Sequence, residues 1–294
     1  MADLKPMEMG EILDGAFTLY RRHFGLFLKL SVSVMWLPVA LLIYLRLRFN
    51  WAGNPELIVA TFQEHLAATV ALWLTWILAY TIATLLLTAG SIHIISASYL
   101  GREPSLGEAL SLGASKIMPL FLVAVGKWLL IFMIWIAGGV AIGVLVALGK
   151  AAGTALSVLL ILAIGPTLIW FVIYVACGYG LTTPVVVLEE LSSSFDAFGR
   201  SWELTRSFKL KVLGLAIIAW LIVTFAPSFF VGGLGGLLMA SSPSLQPVVV
   251  VVSALVPILL APVLPCVLTL LYYDLRVRRE GFDLQLLGQQ LGII

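Results

Sequence analysis

Charge is scarce in this chain: only 11% of its 294 residues are Asp, Glu, Lys or Arg, where a soluble domain carries about 25%. So few charges cannot screen a composition that is 61% apolar, which excludes a water-soluble globule and leaves the bilayer as solvent. Cysteine is scarcer still. Cys177 and Cys266 lie inside apolar runs, without a second pair or a nearby histidine, which argues against a disulfide framework and a zinc site. Both read as small buried apolar residues. The three histidines, His23, His65 and His93, are scattered. GxSxG, HExxH, P-loop and strand-linked GxGxxG patterns are all missing, so no catalytic residues, no cofactor and no metal are expected. The apolar stretches also lack the two-residue alternation of a transmembrane barrel strand.

What is present is long apolar runs. The longest without a charge, Val212 to Tyr273, covers 62 residues. A spanning helix needs about 20, so the run holds two, parted at Ser241-Ser242-Pro243-Ser244. Six spans are expected in all: about 26–45, 67–91 (continuing as helix toward Tyr99), 119–148, 155–187, 212–238 and 247–273. With no small-residue cleavage site after the first apolar run, the first span reads as an uncleaved signal anchor.

Lys and Arg set the orientation. Lys5, Arg21, Arg22, Lys29, Arg102, Lys116, Arg200, Arg206, Lys209, Lys211, Arg276, Arg278 and Arg279 fall on one side of this topology, and Arg46, Arg48 and Lys150 on the other. The positive-inside rule then places both termini in the cytoplasm.

A unit recurs three times: a short charged amphipathic helix, then two spans. Met9, Ile12, Leu13, Ala16, Phe17 and Tyr20 share offsets with Leu106, Ala109, Leu110, Gly113, Ala114 and Ile117. The third copy keeps Ala197, Phe198 and Trp202, with Ser194, Ser201 and Thr205 at the other places. Ser105-x-x-Glu108 and Ser193-x-x-Asp196 read as capping boxes. Such helices are expected in the cytoplasmic interface, apolar face toward the acyl chains. The expected fold is therefore all-α: a polytopic membrane protein of about six helices in three hairpins, each hairpin preceded by an interfacial helix. It forms one domain over 1–294, with repeats near 7–100, 104–190 and 192–275 and a cytoplasmic tail from 276.

Lys127 is the one strong charge within an expected span, and Lys29 holds nearly the matching place in the first repeat, which favours anchoring at headgroup depth over transport. In the polar segment Phe195–Arg206, Arg200 can pair with Asp196 at i−4 and with Glu203 at i+3. Arg21, Arg22, Lys29, Lys127, Arg200, Trp202, Arg206, Lys209, Arg276, Arg278 and Arg279 are the candidate contacts to anionic headgroups or a protein partner. Phe282, Leu284, Leu287 and Leu291 can fold back on the membrane surface. Gly165-Pro166 is expected to interrupt span four. Pro227 and Gly232-Gly233-Leu234-Gly235-Gly236 mark span five, and Pro257, Pro262 and Pro265 crowd span six. Packing by small residues explains these better than a transport path.

Three segments carry a family resemblance: Gly10 through Phe24, Pro184 through Glu189 followed by Ala197 through Arg206, and Leu271 through Leu284. They resemble the bacterial membrane-domain family named after glycerophosphoryl diester phosphodiesterases. Some members of that family carry a soluble catalytic barrel and others are stand-alone membrane proteins. The six spans leave this sequence no room for the barrel, so the resemblance implies no catalytic residues. The functional expectation is a non-catalytic scaffold or partner subunit in the bacterial inner membrane that contacts lipid. Its partners would be the bilayer, anionic headgroups and a membrane protein, not nucleic acid. A transporter or permease for a small or lipid-like substrate is the alternative.

Overall fold

Hydrocarbon offers the backbone no water, so a span must satisfy its own N–H and C=O groups, and the helix does this within one segment. The computed structural model describes residues 6–49, 66–152 and 154–281, and among them there is no strand. Six helical segments are long and apolar enough to cross a membrane: Phe24–Arg46, Leu66–Tyr99, Ile117–Ala147, Leu162–Leu188, Lys209–Leu238 and Pro247–Glu280. The protein is an all-α polytopic membrane protein. Its spans present large apolar side chains outward, such as Trp128 at 73% exposure, as chains solvated by lipid do.

In chain order the helices are α1 (Met9–Arg22), α2 (Phe24–Phe49), α3 (Leu66–Tyr99), α4 (Leu106–Ser115), α5 (Ile117–Ala152), α6 (Thr154–Gly178), α7 (Thr182–Leu188), α8 (Asp196–Thr205) and α9 (Lys209–Trp220). Two π-helical stretches follow, Leu221–Phe225 and Ser228–Leu234. Then come α10 (Gly235–Ser241), a 3₁₀ turn at Pro243–Leu245, α11 (Gln246–Leu260) and α12 (Val263–Glu280). Lys5, His65, Phe282, Leu284, Leu287 and Leu291 lie outside the described residues, as do the side chains of Arg48 and Lys150.

The chain forms two compact units. The first comprises residues 1–117 and 215–274. Here α3 packs on α2 and α4, and α11 packs on α2. Small residues let these helices close up: a Cβ on Gly90 would lie 3.0 Å from Leu30 and 3.2 Å from the Ala109 carbonyl, and one on Gly113 would lie 3.1 Å from the Leu86 carbonyl. Asp274, fully buried, accepts the Met7 N–H at 2.7 Å and so ties the start of the chain to α12.

The second unit comprises residues 118–214 and 275–294. In it α8 packs on α6 and α7. The span that the sequence reads as running to Val187 breaks at Tyr179–Leu181, between α6 and α7. Fully buried hydroxyls on α8 supply the missing partners: Ser201 and Thr205 donate to the Gly178 carbonyl at 2.8 and 3.1 Å, and Ser201 accepts the Leu181 N–H at 3.2 Å. The expected interruption at Pro166, by contrast, is absent, because α6 runs straight through it. The missing Pro166 N–H costs the helix one bond, to the Leu162 carbonyl, and the ladder resumes on either side, where the Thr167 hydroxyl donates to the Ala163 carbonyl at 2.8 Å.

The amphipathic helices differ from expectation in what they face. Their apolar sides pack on the protein: Ile12, Ala16, Ala109, Ala197, Ser201, Leu204 and Thr205 are all fully buried. Their starts are capped at the expected Ser105 and Glu108 and by Asp196 on Ser193, each in its own way. Glu8 and Glu11 form a reciprocal capping box on α1, Glu11 accepting the Glu8 N–H at 2.7 Å. Ser105 accepts the Glu108 N–H at 3.2 Å. At α8, Asp196 accepts the Ser193 N–H at 2.8 Å, and the helix starts only at Asp196.

The junction of α6 with α8 leaves no room for a side chain at Gly178, whose Cβ would lie 2.2 Å from the Trp202 ring. Gly178→Val should lower the thermal unfolding temperature in detergent, since overpacking costs about 1–3 kcal/mol. Gly139→Ala, where a Cβ meets nothing, should leave it unchanged or higher. Equal melting of both variants would contradict this packing.

Candidate functional site

The candidate cations divide into those the protein itself engages and those it leaves exposed. Arg200, on α8 of the second unit, is engaged. Its Nε donates to both oxygens of Glu189, at 3.1 and 2.9 Å, and its Nη2 lies 2.5 Å from Glu280. Glu203 sits 3.7 Å away, while Asp196 is used at the helix start instead. Arg276 closes the chain of charges with a 3.0 Å bond to Glu280. Burial acts against the Arg200 charge, but the bonds and charges of Glu189 and Glu280 outweigh it and push its pKa above the ordinary value. The planar fork of arginine suits this two-carboxylate tie. Glu189, just past α7, and Glu280, at the end of α12, are distant in sequence from Arg200, so i±3 and i±4 reasoning could not find them.

Lys209, at the start of α9, is engaged in a different way. Its ammonium lies 3.1 Å from the Tyr174 ring centroid and 3.5 Å from that of Trp202. Its Nζ is buried, with no hydrogen-bond partner among the described residues. Tyr179 and Phe198 continue the aromatic cluster, Tyr179 contacting both Trp202 and Phe198. Cation–π attraction in such a desolvated box reaches about 2 kcal/mol. Arg279 donates to Ser207 at 3.0 Å, and Arg278 lies over the Phe208 ring. Lys127 is half-buried on α5, beside Gly126, which faces Phe195 and Phe198.

Arg21, Arg22, Lys29 and Arg206 are exposed. In the first unit, Arg22 joins Arg102, which the candidate set omitted, on the wall of a polar cleft of about 680 Å³. His23, Ser98, Tyr99 and Glu103 complete the polar lining. The cleft forms where α1 and α3 end and the chain turns through Gly101, at φ +77°, a conformation that favours glycine. His23 and Ser98 are 2.8 Å apart, Nε2 to Oγ, a base–nucleophile pairing the sequence did not reveal. No acidic side chain among the described residues hydrogen-bonds the other ring nitrogen, so the orienting third member of a hydrolytic triad is missing. The pair joins two helix ends.

No family model, curated protein or solved structure matches this chain. Its function therefore has to be argued from this geometry.

Two outcomes test it. Arg200→Ala should cost roughly 1.5–3 kcal/mol, the scale of a hydrogen bond to a charged group, and Arg200→Lys should recover only part, because an ammonium cannot span both carboxylates. Thermal melts of the full chain would show this, and unchanged stability would refute the tie. Burial, and then the neighbouring Arg22 charge, hold the His23 pKa below its ordinary 6.5. Below pH 6.5 the unfolded chain takes up a proton that the folded chain resists, so stability falls as pH drops toward the lowered folded value. Melting temperature should fall between pH 8 and pH 5, and fall less in His23→Gln.

Proposed function

We propose that this chain is a non-catalytic membrane scaffold or partner subunit that contacts anionic lipid headgroups, lying in the bacterial inner membrane with both termini cytoplasmic. One observation carries the reading: Arg21, Arg22, Arg102 and Arg206 are exposed, lie next to span ends in sequence, and have no ion-pair partner among the described residues. An even number of crossings separates α1, Arg102 and Arg206, so these cations share one face of the membrane. Each basic residue near an anionic surface contributes about 1 kcal/mol. The cleft at Arg22 and Arg102 adds hydroxyl donors at the same depth. Arg200 and Lys209, by contrast, serve the interior, and their role in this reading is to hold the interfacial helix α8 in place. The same reading places the chain with the stand-alone members of the glycerophosphoryl diester phosphodiesterase membrane-domain family. A transporter of a small or lipid-like substrate is the second reading, favoured by the π-helical stretches of span five.

Native mass spectrometry of the full chain, exchanged with equal amounts of phosphatidylglycerol and phosphatidylcholine, tests the headgroup reading. The anionic lipid should be retained at least fivefold over the zwitterionic one. Combined Arg21→Gln, Arg22→Gln, Arg102→Gln and Arg206→Gln should abolish the preference. Equal retention in the unaltered protein would overturn it.

A further inference from the structure

Among the described residues, π-helical backbone occurs in span five alone. Its two π-helical stretches flank Ala226-Pro227. Such turns are rare in helices and frequently mark functional sites. Here they wall a cavity of about 460 Å³ in the first unit. Thr224, Ser228 and Ser253 line it with hydroxyls, Val223 and Val231 with apolar surface, and Arg46 brings the only charge among the described residues of its lining.

Arg46 is the last residue of the first span. An arginine at a span end ordinarily extends its guanidinium into headgroup water. This one donates to Ser253 Oγ at 2.5 Å. Ser253 is seven residues into α11, about 10 Å along the axis from that helix's start. The Ser253 hydroxyl in turn donates to the Val250 carbonyl at 2.8 Å, so it offers Arg46 a lone pair and no charge. Guanidinium carries five N–H donors, and among the described residues Ser253 is its hydrogen-bond partner. A cation turned away from headgroup water costs free energy unless an anion or water compensates it.

We propose that this cavity binds a single-chain anionic amphiphile, its oxyanion head on Arg46 and its apolar chain against Val223 and Val231. A guanidinium fork matches a carboxylate or a phosphate equally. With Arg46 and no acidic residue among the described residues of the lining, the site favours an anion over a cation. The volume lies within the range of ligand pockets, roughly 300–1,000 Å³. Pro227 and residues of the π-helical turns on either side of it form part of the wall, as discontinuous helices do around transporter sites. The cavity shares no residue with the interfacial cleft, so this inference and the headgroup reading stand or fall separately.

The full chain in a neutral maltoside detergent would be offered oleate, 1-oleoyl lysophosphatidate and uncharged monoolein, with retention counted by native mass spectrometry. At least one of the two anions should be retained at one per chain, at least tenfold over monoolein, and the better retained anion names the head. Arg46→Gln should lower that retention at least tenfold. Val231→Trp, which fills the cavity and keeps the charge, should lower it as well, and it carries the test if Arg46→Gln fails to fold. Retention of monoolein equal to the anions, anion retention unchanged in either folded variant, or retention of neither anion would overturn the proposal.

Discussion

The absence of water from the hydrocarbon layer is the constraint on which this structure depends. Each backbone donor and acceptor there has to find a partner within the protein. Long uninterrupted helices such as α3 and α5 meet that demand locally. The structure becomes informative where a helix stops or loosens, because another segment must then supply the partner. At the break between α6 and α7, Ser201 and Thr205 of α8 cap the Gly178 carbonyl, and Ser201 receives the Leu181 N–H. Polar residues on the buried side of an amphipathic helix look like a lapse of pattern until that carbonyl is placed opposite them.

The same logic orders the charges. A cation inside or beside a membrane can be paired, caged by aromatic rings, or left to the headgroups. This protein uses the first two and leaves further cations exposed. Arg200 is paired with two carboxylates, Lys209 is caged by Tyr174 and Trp202, and Arg21 and Arg206 are left exposed. Arg46 fits none of these solutions fully, since a serine hydroxyl compensates its charge only in part. That incompleteness, together with a cavity and an altered helix at the same place, makes it the most chemically suggestive group in the first unit.

Much of the architecture was legible before any coordinates. The six spans follow from apolar runs near 20 residues or longer, and the short amphipathic helices from residues such as Ile12 and Ala16 recurring at helical spacing. Both signals are local, and both arise from one-dimensional periodicity and length. The candidate site was legible only as a list of cations. Which of them would be consumed internally depended on Glu189 and Glu280, and the cleft needed Arg22 and Arg102, which are 80 positions apart in sequence. Proline misled at one position and informed at another. Pro166 sits inside a continuous helix, whereas α11 and α12 do part at Ala261-Pro262.

By itself the sequence determined the solvent of this protein, its secondary structure class and the order of its elements. Those properties follow from how many apolar residues stand in a row and how often a charge interrupts them. Only the tertiary structure decided which polar groups meet. The Gly178 carbonyl with Ser201, Arg200 with Glu189 and Glu280, His23 with Ser98, and Arg46 with Ser253 are all pairings across elements. The physical reason is that helix formation is dictated within a few residues by local hydrogen bonding. The partner of a desolvated polar group is dictated by which helix the packing of small and large side chains brings opposite it.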